Sequence, residues 1–279
     1  MSTIAETLAE FADRFSYDAV PAEVRHRAKH LILDGTGVAL ASSTRDFAAP
    51  TVKSLATLGA GDSRVIGFAD GLPLRDAVLA NGVLIHGLDF DDTHLLGTVH
   101  ATSSCFPTAL GVGVALGKAG RDVLAAYVLC METAARLGTV AKGELVQLGF
   151  HPTGVIAAFA CALIAGRLYG LDREQLTMAQ AIVLSMAAGA REYSSDASGT
   201  KRIHPGWAGA CGITAAVLAR GGTTGPRTCY EGRFGLYATH LRPDVVTPDL
   251  AAATRALGTA WETLQVAIKP YPVGRSEEH

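Results

Sequence analysis

The sequence predicts an all-α protein, a bundle of many helices with very little strand. Apolar residues recur at helical spacing in most windows, and helix start and stop signals repeat along the chain. Only two short stretches look extended. With 279 residues, of which 49% are hydrophobic, the chain is able to bury a large core. We therefore expect a globular helical domain.

Helix boundaries follow from residues that cap or end helices. Asp and Thr accept hydrogen bonds from the free amide groups of a first turn, and Gly ends helices because it adopts the left-handed conformation. Apolar residues from Val24 to Val38 mark the first clear helix. In chain order, the predicted helices are 21–41, 122–137 (capped by Asp122, ended by Gly138), 152–169, 174–188 (capped by Asp172) and one that begins near Pro205.

Two segments, 154–168 and 179–190, are apolar on all sides and rich in Gly and Ala. A helix without a polar face belongs in the centre of a bundle, where small residues let neighbouring helices approach closely. The extended stretches are 63–68 and 264–268, and residues 221–226 read as a loop. We see no domain boundary before about residue 265.

Composition excludes several classes of protein. The net charge is −2, from 24 basic and 26 acidic residues without a long Lys/Arg block, so we expect neither nucleic acid nor an anionic membrane as a partner. The longest apolar stretch, 154–166, is too short to span a bilayer, and no secretory signal is visible. Five cysteines without a C-x-x-C pair fit free thiols in the cytoplasm.

The densest polar cluster lies within a chain that is only 18% charged. Such a cluster is costly in an apolar protein unless it meets water, a metal or a substrate. A solvated surface run is the plain alternative. In acid–base chemistry, a carboxylate in an apolar wall would remove a proton while a nearby imidazole delivers one. The cluster comprises Asp89, Asp91, Asp92, His94 and His100.

Cationic side chains stand at separate helix ends. His151 precedes an apolar helix whose N-terminus attracts anions, and Lys201 and His204 precede another. Lys269 is followed by Pro270-Tyr271-Pro272, and the prolines restrict its freedom. Together with a carboxylate base, this set suits a small polycarboxylate whose α-proton is removed, because cations neutralise the carboxylates and the developing enolate. Each cation alone also fits an ordinary solvated loop.

A metal-dependent alternative uses Asp89 and Asp92 to hold Mg²⁺. The chain has no H-E-x-x-H or E-x-x-H pattern, and Leu95 stands where a D-D-x-x-D pattern needs its last Asp. Glycine-rich phosphate loops and a G-x-S-x-G nucleophile elbow are also missing from the sequence. We therefore expect no metal and no cofactor.

Four segments, 80–94, 149–153, 201–208 and 269–272, lie in order along nearly the whole chain and together resemble the MmgE/PrpD family. The segment after Thr93 reads His100-Ala101 where the family usually has His-Pro, with one more residue before the histidine than in the decarboxylase branch. The segments are 80–94 (ANGVLIHGLDFDDTH), 149–153 (GFHPT), 201–208 (KRIHPGWA) and 269–272 (KPYP).

The resemblance implies a large helical domain, 1–268, whose family partner is a smaller α+β lid. Residues 269–279 would then be a truncated start of the lid segment, with His279 as a loose counterpart of a family histidine. It also implies a homodimer, and it implies an active site between the helical domain and the lid. By this resemblance Asp89, His100 and His151 would be catalytic, Thr93 an orienting hydrogen-bonding residue, and Lys201, Lys269 and His204 substrate-binding. Whether Asp89 or His100 is the base stays open.

The implied activity is that of a lyase or isomerase that works without a cofactor next to a carboxylate. We rank dehydration of a 2-methylcitrate-like hydroxy acid first, epimerisation second and decarboxylation third. A second hypothesis from another class is a lidless helical remnant that dimerises or binds carboxylates without turnover.

Overall fold

The computed structural model describes residues 2–242 and 246–272, and the fold is mainly α, as predicted. Short 3₁₀ turns occur at Tyr17–Ala19, Gly199–Arg202, Leu250–Ala253 and Glu262–Gln265. In these residues the helices are α1 (Ile4–Arg14), α2 (Ala22–Ser43), α3 (Ala48–Ala56), α4 (Leu74–His86), α5 (Thr102–Ala115), α6 (Gly120–Val140), α7 (Glu144–Gln147), α8 (Pro152–Leu168), α9 (Arg173–Val183), α10 (Tyr193–Asp196), α11 (Ile203–Arg220) and α12 (Leu236–His240).

Helix α8 is the centre of the bundle. Every residue from Pro152 to Gly166 is buried, and the helix packs against α5, α6, α9 and α11. This confirms the prediction made from its apolar, small-residue sequence. The approach of α11 is close enough that a Cβ atom added at Gly212 would lie 2.6 Å from the backbone nitrogen of Ala162. Only glycine fits at that crossing.

Helix α4 packs on the other side of α11 through a second glycine contact. A Cβ atom added at Gly82 would lie 2.4 Å from Cα of Gly206, and one added at Gly206 would lie 2.2 Å from the carbonyl oxygen of Leu79. The two helices thus touch backbone to backbone. This contact matters for the site, because α4 ends at His86 and α11 begins next to Lys201.

Two predicted helices have wrong boundaries. Helix α6 begins at Gly120, so Asp122 lies in its first turn and makes no cap, and the helix continues past Gly138 to Val140. Helix α9 has the predicted Asp172 cap but ends at Val183, so no helix spans 179–190. The chain leaves the helix because the backbone of Gly189 and Arg191 bonds to the segment before α8.

The extended segments are shorter than predicted. β1 (Ser63–Arg64) pairs antiparallel with β2 (Gly71–Leu72), and β3 (Thr93–His94) pairs antiparallel with β4 (Val266–Ala267). The rest of 63–68 and 264–268 is turn, 3₁₀ helix or coil. The last segment therefore has a partner strand, and that partner lies inside the polar cluster.

Helix α6 is long and apolar enough to cross a membrane by length and composition. Most of it is buried inside the structure, where it packs against α8, α5 and α2. Core helices commonly have this composition, so the helix is weak support for a membrane span.

The glycine contact between α4 and α11 predicts a large cost for a single methyl group. We expect Gly206→Ala to lower the free energy of unfolding by more than about 2 kcal/mol, because the added carbon meets backbone that cannot give way. Gly37→Ala, in the middle of α2 with open space around it, should instead be neutral or stabilising by about 0.5–1 kcal/mol. Urea unfolding of both variants checks this, and equal effects would contradict the close crossing.

Candidate active site

The site is built on the loop that follows α4. Asp89 adopts the left-handed conformation with φ of 57°, which Asp tolerates better than most residues. That turn sends the chain back into the protein, so the next two carboxylates, Asp91 and Asp92, are fully buried. The solvated surface run considered for this cluster is therefore excluded.

Asp92 holds the start of α5. Its carboxyl oxygens accept hydrogen bonds from the backbone nitrogen of Thr102 at 3.2 Å and from the Thr102 hydroxyl, which in turn lies 2.6 Å from the hydroxyl of Tyr127. Burial, reinforced by the neighbouring Asp91, raises the pKa of Asp92 to about 7. Asp92 is thus a structural group that joins the loop to the core.

Asp91 has the opposite ionisation. Its Oδ2 atom lies 2.7 Å from Nδ1 of His86, and its Oδ1 atom lies 3.9 Å from Nζ of Lys269. Burial alone would raise the pKa of Asp91, but His86, His100 and Lys269 outweigh burial and hold this pKa well below its usual range. Asp91 is therefore a buried carboxylate anion.

Two lysines from distant parts of the chain converge on Asp89. Nζ of Lys201 lies 2.6 Å from Oδ1 of Asp89, and Nζ of Lys269 donates to the Asp89 carbonyl oxygen at 3.0 Å. Although burial raises the pKa of Asp89, its interactions with His86 and Lys201 lower that pKa further than burial raises it. Arg202 reinforces this end of α4 by donating to the carbonyl oxygen of Gly87 at 3.1 Å.

Four imidazoles pack together behind these charges. The ring centroids of His86 and His100 are 5.2 Å apart, those of His86 and His151 are 5.4 Å apart, and those of His151 and His204 are 5.2 Å apart. Tyr193 closes the cluster, with its ring 5.8 Å from both His151 and His204.

Three of the four imidazoles are neutral near pH 7. Burial lowers the pKa of His100 to about 3 and that of His204 to about 4, and it lowers the pKa of His151 well below its usual range. Nδ1 of His100 lies 2.9 Å from the Asp92 carbonyl oxygen and 3.0 Å from the Thr93 hydroxyl. Because a carbonyl oxygen only accepts, Nδ1 carries the proton and Nε2 keeps its lone pair.

A buried network of hydrogen bonds and ion pairs fixes the segment that carries Lys269. Glu132 of α6 accepts hydrogen bonds from the backbone nitrogens of Glu262 and Thr263 at 3.0 and 2.8 Å. Arg136 of α6 lies 3.3 Å from Glu132 and 3.6 Å from Glu262, whose other oxygen lies 3.0 Å from His94. His94 is thus an anchor for β4 rather than a reacting group.

A cavity of about 350 Å³ opens in front of the cluster, a volume in the range of small-molecule sites. His86, Asp89 and Lys201 line it, together with Tyr193 and the 194–202 segment. The ammonium group of Lys201 and the guanidinium group of Arg202 can receive a small anion there, and His86 is the imidazole of the cluster that lines the cavity.

The structure brings together all seven residues that the sequence singled out for the site. Asp89, Lys201 and Lys269 form one contact group, Thr93 touches His100, and His151 touches His204 at 3.0 Å between their Nδ1 atoms. The extra residue before His100 does not separate it from Thr93. Their individual chemical roles stay predictions, and His279 lies outside the described residues.

Sequence reasoning assigned no role to His86 and none to Asp91. His86 lies one turn before Asp89 and was included in the family-like segment, but a histidine inside an apolar helix reads as core. The sequence did hold one signal for this pair, namely the short spacing between His86 and Asp91. A loop that turns back after α4 places Asp91 next to His86, the last residue of that helix.

A metal site on Asp89 and Asp92 is disfavoured, because Asp92 is engaged with Thr102 inside the core. In the described residues, ligand atoms of His86, Asp89 and Asp91 lie within 4.8 Å of one another. Each of these carboxylates already faces an ammonium group, at 2.6 Å for Asp89 and 3.9 Å for Asp91. A divalent cation there would meet two like charges, which disfavours a metal at this set of donors.

Fold and site together define a helical domain with an acid–base cluster and a cationic cavity. The model of the MmgE/PrpD N-terminal domain matches residues 6–248, and the chain belongs to this family. The family resemblance found in the sequence is thereby confirmed.

The chain is similar to several cis-aconitate decarboxylases. It is 27% identical to that of Aspergillus terreus over 97% of this chain and 57% of that protein, and 30% identical to that of Homo sapiens over 98% of this chain and 57% of that protein. For the protein of Mus musculus the identity is 28%, over 88% of this chain and 51% of that protein. The chain spans about half the length of the curated relatives it matches.

The raised pKa of Asp92 predicts a distinctive pH dependence of stability. In the unfolded chain Asp92 loses its proton near pH 4, whereas in the folded protein it keeps the proton to about pH 7. This group therefore lowers stability progressively as pH rises from 4 to 7, by on the order of a few kcal/mol, and not further above pH 7.

Asp92→Asn removes this dependence. In urea unfolding, we expect the free energy of unfolding of the wild type, minus that of Asp92→Asn, to decrease between pH 4 and 7. Asp62→Asn, at an exposed position, serves as the control and should follow the wild type at every pH. An Asp92→Asn variant whose pH dependence matches the wild type would show that Asp92 is ionised in the folded state.

Proposed function

We propose that this chain supplies the helical part of the active site of a lyase that acts on a small tricarboxylate of the cis-aconitate type. The observation that carries the proposal is the pair of lysines, Lys201 and Lys269, fixed by Asp89 at the edge of a cluster of neutral imidazoles. Ammonium groups bind carboxylates, and neutral imidazoles accept or relay protons. The relatives named cis-aconitate decarboxylases support the same substrate class.

Decarboxylation of such a substrate requires one proton transfer. When the carboxylate on the saturated carbon leaves as CO₂, the electrons of its C–C bond form a new double bond. The electrons of the old double bond move to the carbon next to a second carboxylate, and that carbon takes a proton. A cation near this carboxylate stabilises the charge that develops before the proton arrives. Lysines and imidazoles are therefore the groups the reaction needs.

Dehydration of a hydroxy acid such as 2-methylcitrate is the second candidate, and epimerisation uses the same step. In both reactions an imidazole removes the proton next to a carboxylate while the lysines hold the substrate. The site geometry suits all three reactions, since each moves a proton at such a carbon. The names of the relatives put decarboxylation first, whereas the sequence alone placed dehydration first.

Within this proposal Lys201 and Lys269 hold the substrate carboxylates, Thr93 orients His100, and His100, His151 and His204 form the imidazole wall. Asp89 has its Oδ1 atom taken up by Lys201, so its role is to place that lysine. The base is then an imidazole rather than Asp89. We further propose a homodimer, as the resemblance implies, and a cytoplasmic location, which fits the five free cysteines.

The experiment is proton NMR of the 279-residue chain in D₂O with cis-aconitate, citrate, 2-methylcitrate and iminodisuccinate in turn. We expect cis-aconitate to be consumed, with deuterium in the product at a carbon next to a carboxylate. Consumption of another member of the panel would instead identify that branch of the family. A folded protein that neither turns over nor exchanges any of the four would contradict a working site in this chain.

The placement of Asp89 predicts a particular kinetic effect. Asp89→Asn retains the left-handed backbone, which Asn tolerates, but removes the charge that holds Lys201. We expect KM to rise about tenfold or more, the size of one lost charge-assisted hydrogen bond, with kcat within about tenfold of the wild type. Loss of all turnover with unchanged substrate binding would make Asp89 the base. Asp62→Asn should leave both constants unchanged.

A further inference from the structure

We infer that His86 is the group that carries the proton in this site and that Asp91 is the positioning residue that holds it. The inference rests on the proposed function and deepens it, because it names which imidazole exchanges a proton with the substrate. It starts from the contact that distinguishes His86 from the other three histidines of the cluster.

His86 alone in the cluster pairs with a carboxylate. Nδ1 of His86 lies 2.7 Å from Oδ2 of Asp91, and both side chains are fully buried. An ionised carboxylate only accepts, so Nδ1 carries a hydrogen whether His86 is neutral or charged. Among the described residues Nε2 of His86 has no hydrogen-bond partner, and His86 lines the cavity. The exchangeable proton therefore belongs on Nε2.

The other three imidazoles lack such a partner. His100 donates to the carbonyl oxygen of Asp92, and His151 shares a hydrogen bond with His204. A positive charge on His151 or His204 would be buried without a hydrogen-bonded carboxylate, and for His100 burial outweighs the attraction of Asp91. This explains why all three stay neutral, as the lowered pKa values of His100, His151 and His204 indicate.

The charges that face His86 come from several elements. Asp91 lies in direct contact, and Asp89 adds a second negative charge from the same loop. Lys201 and Lys269 oppose a positive charge on His86, but each is itself held by these aspartates. His86 thus has one carboxylate in direct contact, while the two nearby ammonium groups are already paired, and no other ring of the cluster has such a contact among the described residues. The titratable side chains around His86 are Asp89 and Asp91 after α4, His100 before α5, His151 before α8, Lys201 and His204 at the start of α11, and Lys269 after β4.

The proton balance is simple. In decarboxylation, the imidazolium of His86 gives its Nε2 proton to the carbon next to a carboxylate as CO₂ leaves, and it takes a proton from water afterwards. In dehydration, neutral His86 takes the substrate proton on Nε2, the C–H electrons form the new double bond as the C–O bond breaks, and the hydroxide leaves as water by taking the proton that His86 gained. In both reactions Asp91 keeps its hydrogen bond to Nδ1 of His86. Its negative charge neutralises the imidazolium form of His86, which would otherwise be a buried, unpaired charge.

The first test reads protonation directly and needs no turnover. In ¹⁵N-histidine-labelled protein, two-bond ¹H–¹⁵N correlation spectra distinguish both neutral tautomers from imidazolium. We expect His86, assigned by its loss in His86→Gln, to be charged at higher pH than His100, His151 and His204. Asp91→Asn preserves an acceptor for Nδ1 without the charge, so it should move the His86 midpoint down by about one pH unit or more, whereas Asp62→Asn should not move it.

The second test uses the reaction. His86→Gln should lower kcat by about a hundredfold or more while binding of tricarballylate, a saturated tricarboxylate probe, changes by less than about threefold. Asp91→Asn should lower kcat, because the charged form of His86 loses its counter-charge, and should shift the pH profile of kcat by the same amount as its NMR midpoint. If His86→Gln does not fold, Asp91→Asn alone decides the matter.

The two proposals fail separately. A His86 that stays neutral where another ring of the cluster is charged, or a His86→Gln variant with near wild-type kcat, would overturn the assignment of His86. A wild-type chain that binds no tricarballylate and shows no turnover, with His86 titrating as expected, would overturn the lyase function, and with it the catalytic role of His86.

Discussion

The structure depends on two adjacent carboxylates that are buried in opposite ionisation states. Asp91 is held as an anion by His86 and the nearby Lys269, and Asp92 keeps its proton to about pH 7. Two buried anions side by side would repel each other strongly, so the protein neutralises one with a proton and the other with a cation. Asp92 therefore has a structural role, whereas Asp91 pairs with His86 in the candidate site.

The rest of the architecture serves to hold this loop. The glycine contacts of α11 with α4 and α8 keep the three helix ends at fixed separation, and these ends carry His86, Lys201 and His151. On the opposite side, β4 pairs with β3 and brings Lys269 next to Asp89. Packed helices and a paired strand thus position the charged groups of the candidate site.

Much of the fold was predictable because its signals are local. The all-α class, the central position of 152–168 and the Asp172 cap each follow from spacing or capping within one segment. Helix 179–190 was predicted wrongly because its end is set by backbone bonds to the segment before α8, a contact between elements. The strand at 266–267 lacked a visible partner for the same reason, since Thr93 and His94 are far away in sequence.

The candidate site was predictable only in part. The polar cluster stood out in an apolar chain and the family resemblance added the lysines, and the seven predicted residues lie together, but His86 and Asp91 were missed. What sequence does not encode is which carboxylate meets which cation, so the pairing of His86 with Asp91 and the structural role of Asp92 emerge only in three dimensions. The domain limits of 1–268 and 269–279 stay predictions.

Carbon-13 NMR of the protein labelled at aspartate carboxyl carbons, titrated from pH 4 to 9, tests the central claim most directly. Asp91→Asn and Asp92→Asn assign the two signals. The account predicts that Asp92 titrates near pH 7 while Asp91 stays ionised over the whole range. Two carboxylates that are both ionised at pH 6, or an Asp91 that titrates within the range, would contradict it.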